Sequence, residues 1–304
     1  MNKVLSFILI LICVLTTGII NAADYYVSPN GSDDNSGTFE APFQTIQHAA
    51  DLIQCGDICY LREGIYHEEI EVINLHCTSS DPITFTNYQD EPVILDGTIP
   101  ITSYWNAMGG NIYKTLTGDI WQLFINSEEM VMARWPNAGF VDGSVWNQEQ
   151  NWAHGIDNNN ENGVMVDAPH DDVSLANLGI DVTGAIGILN VGNFKTWTRF
   201  VNSHGAGNSV FTYDPVPESD YRTKHQYYFL EKKLEFLDQE SEWFFDHETN
   251  ELYIWPPGNV DPNNLNIRGK VQSYSFQITN SSYIELKGLH FFASTFKMDN
   301  SDYM

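Results

Sequence analysis

The amino-acid sequence predicts a mainly β fold: the N-terminal portion of a right-handed parallel β-helix, with a helix cap and an inserted β-rich subdomain. Three observations lead to this prediction. A β-rich unit occurs twice within Gly56–Gly97, the repeat then stops for roughly 170 residues, and alternating strands return near Phe276. The predicted divisions are 1–22 for a signal peptide, 23–97 for the cap and first rungs, 98–270 for the insert and 271–304 for the resumed β-helix.

Four short runs of β-forming residues lie in Gly56–Gly97, separated by Gly, Pro, Asn, Asp and Ser turn signals. They are Ile58–Arg62, Ile70–Ile73, Ile83–Thr86 and Val93–Leu95. The first and third runs begin about 25 residues apart and the second and fourth about 23 apart, which predicts two staggered copies of a two-strand unit. Apolar side chains alternate within the runs, so one face of each strand is expected to face a core. Two unrelated hairpins in a sandwich are the alternative.

A helix is predicted just before the first rung. Gly56 provides a stop signal, and the apolar residues before it recur at helical spacing: Phe43, Ile46, Ala49, Ala50 and Ile53. Because the end of a solenoid exposes strand edges and core, we assign this helix as the N-terminal cap. The sequence stops one strand after Leu289–Phe292 with no such cap, and we therefore expect it to be the front part of a longer protein.

Aromatic strands replace the repeat after Gly97. Several lie around turn signals and are expected to form hairpins: Ile120–Asn126, Met130–Arg134, Ala185–Leu189, Lys195–Val201 and Ser209–Tyr213. Phe229, Leu230, Leu234 and Leu237 lie on one side of a helical projection, and this spacing predicts a short helix. A further hairpin is predicted between Trp243–Asp246 and Glu251–Trp255. Alternation then returns in Phe276–Ile278, Tyr283–Leu286 and Leu289–Phe292.

The first 22 residues have the pattern of a signal peptide. Lys3 provides a positive start, Val4–Ile20 is nearly all apolar, and the small residue Ala22 precedes the expected cleavage. Ile12 stands where a lipoprotein signal would have Gly or Ala before Cys13, so lipid attachment there is rejected. No second apolar run has the length of a membrane span, and we predict a secreted or cell-surface protein without membrane insertion.

The chain is strongly acidic, with a formal net charge of -26. Such a protein should be repelled by nucleic acid and by anionic lipid. An anionic glycan would need bound cations or a local basic cluster, so neutral or calcium-bridged polysaccharides are favoured as partners.

Three cysteines follow the predicted signal peptide, and export permits a disulfide. Three pairings are possible. Cys55 and Cys77 are expected at turns of neighbouring rungs, and we predict that they pair, while Cys59 is expected at an inward strand position. No metal site is predicted, because no Cys or His residues have zinc-ligand spacing and the acidic loop Asp33–Asn35 lacks an EF-hand pattern. No cofactor is expected, although calcium is an open alternative.

Three stretches resemble a known group: YYVSPNGSDDNSGTFEAPFQTIQHA, GDICYLREGIYHEEI and DPITFTNYQDEPVILDG. They are similar to the N-terminus of secreted bacterial right-handed parallel β-helix proteins, which include pectate-lyase-like, alginate-lyase-like and chondroitin-lyase-like enzymes and β-helical glycoside hydrolases. The segment LFINSEEMVMARWPNAG and the aromatic strands resemble a β-rich subdomain inserted between early rungs in a subset of these proteins. The resemblance implies the fold and a carbohydrate-active protein, and it leaves the chemistry open.

Few residues of this sequence are candidates for catalysis. A glycoside hydrolase needs two carboxylates, and Asp299 and Asp302, beyond the resumed rung, are the candidates. A lyase would need a base, for which Lys297 and His290 are available. Both sets compete with the simpler interpretation of solvated surface residues.

Sugar binding is better supported by the sequence than catalysis, since Trp rings stack on sugar faces. Trp146 and Trp152 lie in an Asn/Gln-rich loop with little hydrophobic periodicity and are predicted to be exposed there. The resulting prediction is an exported carbohydrate-active β-helix protein, a glycoside hydrolase on a plant or algal polysaccharide. A lyase acting on a uronate polymer and a non-catalytic glycan-binding or adhesin scaffold are the alternatives.

Overall fold

The computed structural model describes residues 22–156, 162–192, 195–217 and 226–303. The predicted signal peptide lies outside the described residues, apart from residue 22. The chain divides into two compact units, with boundaries after Asp96 and before Tyr274; the first unit holds both ends of the chain and the second holds Gly97–Ser273.

The strands are numbered in chain order. The first part of the chain contains β1 (Asp24–Val27), β2 (Ile58–Leu61), β3 (Gly64–Tyr66), β4 (Ile70–Ile73), β5 (Ile83–Asn87) and β6 (Val93–Asp96), with helix α1 (Ile46–Leu52) between β1 and β2. The second unit contains β7 (Thr98–Pro100), β8 (Asn106–Gly109), β9 (Ile112–Leu116), β10 (Leu123–Ile125), β11 (Glu128–Met132), β12 (Arg134–Trp135), β13 (Ala153–His154), β14 (Val164–Val166), β15 (Ile186–Gly192), β16 (Lys195–Ser203), β17 (Val210–Tyr213), β18 (Tyr227–Glu231), β19 (Glu242–Asp246), β20 (Glu251–Ile254) and β21 (Ile267–Lys270). Its short α-helices are α2 (Gln148–Asn151) and α3 (Leu175–Leu178), and its 3-10 turns include Ser144–Trp146, Leu234–Phe236, Pro257–Asn259 and Pro262–Asn264. The chain then returns to the first unit with β22 (Tyr274–Thr279), β23 (Ile284–Lys287), β24 (Leu289–Phe292) and β25 (Thr295–Asp299).

The first unit is a parallel β-helix with three sheets. Their strand orders are β1-β2-β5-β23, β3-β6-β24 and β4-β22-β25, and every neighbouring pair is parallel. Ile58 lies opposite Thr84 on adjacent parallel strands, which confirms the predicted stacking of the first and third runs. The alternating inward residues form one core that includes Leu61, Ile70, Phe85 and Phe276.

Each rung has three strands, so the predicted two-strand unit is wrong in this detail. The second and fourth runs were expected to be equivalent, yet Val93 in β6 pairs with Gly64 in β3 and not with β4. Strand β3 has only three residues and begins with glycine. A strand of this length is too short to be recognised from alternating apolar and polar residues. The true repeat is therefore the sequence β2-β3-β4.

The insert interrupts the second rung between its second and third strands. Strand β22 pairs with β4, and Phe276 lies opposite Ile70. Phe276–Ile278 therefore completes the rung that β5 and β6 began, and β23, β24 and β25 form the third rung. The sequence correctly predicted that the solenoid resumes after the insert. It did not predict that the first strand after the insert, β22, belongs to the same rung as β5 and β6 before it.

Helix α1 lies over the start of the β-helix and buries Ile46, Ala49 and Ala50 in its core. Thr45 is its N-cap and accepts a hydrogen bond from the His48 amide. The Asp33 carboxylate accepts hydrogen bonds from the Gln44 and Thr45 amides and from the Thr45 hydroxyl, each at 2.9 Å. This acidic loop therefore anchors the start of the helix.

Three asparagines stack at equivalent turns of successive rungs. Asn74, Asn280 and Asn300 all have positive φ, at 59°, 47° and 47°, a conformation that asparagine tolerates better than most residues. The amide of Asn280 donates to Asn74 Oδ1 at 2.6 Å, and that of Asn300 donates to Asn280 Oδ1 at 2.9 Å. The side chains thus extend the hydrogen-bonding pattern of the sheets around a corner.

The structure joins Cys55 and Cys77, the predicted pair, in a disulfide with a Cα–Cα distance of 5.3 Å. Cys59 is a free, buried cysteine at the expected inward position of β2. Burial raises the pKa of its thiol well above the usual range, because the thiolate would lose its hydration.

The second unit contains two mostly antiparallel sheets. One has the order β7-β21-β10-β11-β19-β20-β9-β8, and the other has the order β12-β18-β15-β16-β17-β14 with β13 also paired to β18. The predicted hairpin is confirmed, with Trp243 opposite Ile254 in the antiparallel pair β19–β20. Among the described residues, no helix has both the length and the apolar character needed to cross a membrane.

The helix predicted from Phe229 to Leu237 is wrong. Phe229 and Leu230 belong to strand β18, and Leu234–Phe236 is a single 3-10 turn. Leu230 pairs with Gly187 of the neighbouring strand and is fully buried in the core of this unit. Sheet pairing and burial thus decide the conformation of a segment whose apolar spacing also fits a helix.

Candidate functional site

An aromatic cavity of about 560 Å³ lies within the second unit. Its lining combines aromatic and acidic side chains with a single buried arginine: Trp121, Phe140, Trp146, Trp152, Phe229, Trp243, Glu129, Glu231 and Arg134. Large rings with a few polar groups are typical of small-molecule and sugar sites. We call this space the Trp146 cavity.

Two tryptophans form exposed parts of the cavity. Trp146 ends the 3-10 turn Ser144–Trp146 and is 76% exposed, and Trp121 is 49% exposed. Gly143 begins that turn with φ of 71°, a left-handed conformation that glycine adopts without a Cβ penalty. The Trp146 ring is therefore exposed, as predicted from the sequence, and its role in glycan binding stays a prediction.

The prediction of exposure is wrong for Trp152, which is only 8% exposed. Its indole N–H donates to the Val145 carbonyl at 3.2 Å, and its ring packs edge-on against Phe229 with centroids 4.6 Å apart. A buried indole needs such a partner for its N–H. Trp152 therefore forms a wall of the cavity and supports the segment that carries Trp146.

The sequence did not indicate Arg134 as a site residue, because it ends the predicted strand Met130–Arg134 and has no sequence pattern of a binding or catalytic residue. Its guanidinium is buried, and its centre lies 3.7 Å from the centroid of the Phe229 ring. Nε donates to the Pro136 carbonyl at 2.9 Å and Nη2 to the Asn151 carbonyl at 3.3 Å. Arg134 thereby links two segments next to the cavity, the end of α2 and the chain that follows β12.

Two glutamates near Arg134 have perturbed acidities. Burial raises the pKa of Glu231 to about 7, although the Arg134 charge opposes this shift. Burial likewise raises the pKa of Glu242 to about 8, against hydrogen bonds that its carboxylate accepts from backbone amides, including those of Asp238 and Gln239 at 3.2 Å. Neither residue stands out in the sequence, because Glu231 lies in the predicted helix and Glu242 directly precedes the predicted hairpin.

Two histidines contact backbone carbonyls in and directly after helix α2. His154 Nε2 lies 3.1 Å from the Glu149 carbonyl, and His170 Nε2 lies 2.9 Å from the Trp152 carbonyl. The two imidazoles stack with centroids 3.7 Å apart. Burial, followed by the neighbouring His170, lowers the pKa of His154, so the neutral ring is the favoured form at this contact.

Asp299 and Asp302 both lie in the β-helical unit and are exposed. Asp299 ends β25, and its backbone carbonyl accepts from the Asn280 amide at 2.9 Å. Asp302 lines a polar cavity of about 400 Å³ that also has His76 and Asn300 in its lining, whereas Asp299 is not part of this lining. The assignment of this pair to catalysis stays a prediction. The lyase candidates His290 and Lys297 are also exposed.

Comparison with known proteins agrees with the fold. The family described as "Pel9A-like, right handed beta helix region" matches residues 25–133. The predicted resemblance to pectate-lyase-like parallel β-helix proteins is thereby confirmed.

Two curated relatives match a 77-residue stretch. One is the uncharacterized protein YwoF of Bacillus subtilis, 48% identical, and the match covers 25% of this chain and 16% of that protein. The other is pectate lyase PEL9 of Emericella nidulans, 47% identical, with 25% of this chain and 19% of that protein covered. The chain therefore matches less than one fifth of the length of either relative.

A solved structure described as a glycoside hydrolase superposes on 89% of this chain and 50% of its own, with a TM-score of 0.66 and 19% identity. At this identity the similarity shows the fold alone. It extends beyond the β-helical repeats, since 89% of the chain includes much of the second unit.

Proposed function

We propose that the protein is an exported carbohydrate-active β-helix protein and acts as a glycoside hydrolase on a plant or algal polysaccharide. In this proposal the second unit binds the glycan in the Trp146 cavity. Residues 1–22 direct the chain to the cell surface or the medium, as the signal-peptide pattern predicts.

The observation that carries the proposal is the exposed indole of Trp146 at the cavity, 76% accessible and 6.3 Å from the Phe140 ring. Trp121 and Phe140 line the same cavity and are also exposed, at 49% and 36%, and a cluster of exposed apolar rings is typical of a binding site. The C–H faces of sugar rings stack on such indoles, while sugar hydroxyls can donate to the cavity carboxylates. The pectate lyase relative and the glycoside hydrolase with this fold support carbohydrate chemistry as the class.

A tryptophan substitution tests glycan binding. The chain and its Trp146→Ala variant are titrated calorimetrically with a panel of soluble oligosaccharides. We expect the affinity of the variant to fall about tenfold or more. In proteins that bind single-stranded nucleic acids, stacking of a base on an aromatic side chain contributes about 1 to 3 kcal/mol, and we take this as the scale for a sugar ring. Tyr104→Ala is the matched control, because Tyr104 is a 72% exposed aromatic residue of the same unit that does not line the cavity. Equal losses in both variants, or none in Trp146→Ala, would refute the assignment.

The catalytic step is tested separately on a polysaccharide panel. New reducing ends without unsaturated sugars support hydrolysis, and Asp299→Asn and Asp302→Asn should then each abolish release while leaving glycan binding intact. Full activity in both variants would remove this pair from catalysis.

A polysaccharide lyase is the second candidate, and the match to pectate lyase PEL9 favours it. Ultraviolet absorbance from unsaturated ends would support it and would contradict hydrolysis. Binding without either product would leave a glycan-binding or adhesin scaffold.

A further inference from the structure

A second cavity of about 420 Å³ has Phe140 in its lining, as the Trp146 cavity does. The two cavities share part of their lining, including Glu129, Met130 and Phe140. Both belong to the second unit. Phe140 is 36% exposed and lines both cavities; we call the second cavity the second compartment.

The loop that carries Phe140 is held by its own hydrogen bonds. The Gly139 amide donates to Ser144 Oγ at 2.7 Å, and Ser144 Oγ donates to Asp142 Oδ1, also at 2.7 Å. At the tip of this loop Val141 is 93% exposed and lines the second compartment. The loop thus presents Phe140 and Val141 to a ligand without needing either in the protein core.

The second compartment is strongly acidic. Within the described part of the chain, its lining has no Lys, Arg or His, and it has four carboxyl groups besides the buried Glu242, whose raised pKa favours the neutral form: Glu128, Glu129, Asp142 and Glu240. Among the described residues that line the Trp146 cavity, the one basic side chain is Arg134, which is buried and donates to two backbone carbonyls. An anionic ligand would therefore meet carboxylates without an available cation.

We infer that the two cavities join past Phe140 into one groove, and that this groove binds a single glycan chain built of uncharged sugars. This inference rests on the proposed function, since it names the substrate class of the same site. Sugar hydroxyls donate hydrogen bonds to carboxylates, and charge-assisted bonds of this kind are among the stronger ones. A uronate residue would bring a further negative charge into the groove and would lose part of its hydration there. The Phe140 ring and the Trp146 indole supply apolar faces along the path of the chain.

Binding titrations of the chain with oligosaccharides of defined length test this inference. The probes are xylo-, manno- and gluco-oligosaccharides of two to six units, and oligogalacturonates of the same lengths, at low salt without divalent cations. We expect affinity for at least one uncharged series to rise about tenfold or more from two to six units, because the longer chain occupies both compartments. Oligogalacturonates should bind at least about tenfold more weakly at each length.

The possible failures are distinguishable. Tighter binding of oligogalacturonates would overturn the uncharged class and leave glycan binding in place. Affinity that does not change with length would overturn the groove that crosses Phe140. Binding of neither series would overturn both this inference and the proposed function.

Two variants separate shape from charge. Phe140→Ala should weaken binding of six-unit chains about tenfold and binding of two-unit chains far less. Its control is Phe200→Ala, which changes a 57% exposed ring outside both cavities.

Glu128→Lys should strengthen oligogalacturonate binding, because Glu128 is an exposed acid of the second compartment. Glu248→Lys makes the same charge change outside the groove and should have little effect. Equal gains in the two lysine variants would show a general charge effect and overturn the local one.

Discussion

The guanidinium of Arg134 lies 3.7 Å from the centroid of the Phe229 ring, and these two residues connect the core of the second unit to the Trp146 cavity. Phe229 also contacts Trp152 edge-on. Arg134, Phe229 and Trp152 pack in one layer. A substitution of Arg134 should therefore disturb the packing of Trp152 and, through it, the position of Trp146. This arrangement leads to the first prediction.

Arg134→Met should lower the free energy of unfolding by roughly 3 kcal/mol, because it leaves the Pro136 and Asn151 carbonyls without their donor. Urea unfolding measures the change. The control is Arg199→Met. Arg199 also donates to two backbone carbonyls, those of Asp214 and Thr198, but these hydrogen bonds are exposed and water can replace the donor. Similar losses in the two variants would contradict the role of burial.

Glu242 should make stability depend on pH. Its pKa is raised to about 8 in the folded protein, above the ordinary value of 4.5, so the folded state retains a proton that the unfolded chain releases. Stability is therefore fully present below the unfolded pKa and falls as pH rises through the window between these values. The slope due to this group is at most about 1.4 kcal/mol per pH unit.

Glu242→Gln removes this titration and should flatten the stability profile between these two pKa values, with the largest gain over the parent protein on the alkaline side. Thermal unfolding across this range measures it. Glu248→Gln, an exposed glutamate of the same unit, should leave the profile unchanged. A parallel shift of the whole curve in Glu242→Gln would indicate a packing effect instead.

The disulfide between Cys55 and Cys77 should stabilise the start of the β-helix. The double variant Cys55→Ala/Cys77→Ala should lose about 3 kcal/mol, because the bond closes a segment with a sequence separation of 22 residues. Unfolding midpoints with and without reductant measure this. The parent should be sensitive to reductant and the double variant insensitive. Cys59→Ala, which removes only a buried thiol, should remain as sensitive as the parent.

The asparagine stack gives the fourth prediction. Asn280→Ala should cost about 2 to 3 kcal/mol, since it removes the bonds to Asn74 and Asn300 and places alanine at a φ of 47°. Asn280→Gly loses the same side-chain bonds and tolerates that φ, so it should be less destabilising. Chemical denaturation of the two variants separates the two effects. A glycine variant as unstable as the alanine variant would show that the backbone conformation contributes little.

Local patterns predicted much of the β-helix. Ile58 and Ile83 begin alternating runs whose inward residues can face only a core, so period-2 alternation and spacing suffice to pair the strands β2 and β5. The pairing of β4 with β22 could not be predicted in this way, because the insert separates the two strands and β3 is too short to show a pattern.

For the site, the residue pattern alone shows that large aromatic residues and acids are abundant in the insert, and that Trp146 lies in a polar, non-periodic segment. The fold was needed to show that Trp152 is buried, that Arg134 lies against Phe229, and that Glu231 and Glu242 are in surroundings that raise their pKa values. Burial and pKa could not be predicted because they depend on partners brought together from distant strands. Composition and spacing record which side chains are present, and sheet pairing decides which of them lose water and which remain available to a ligand.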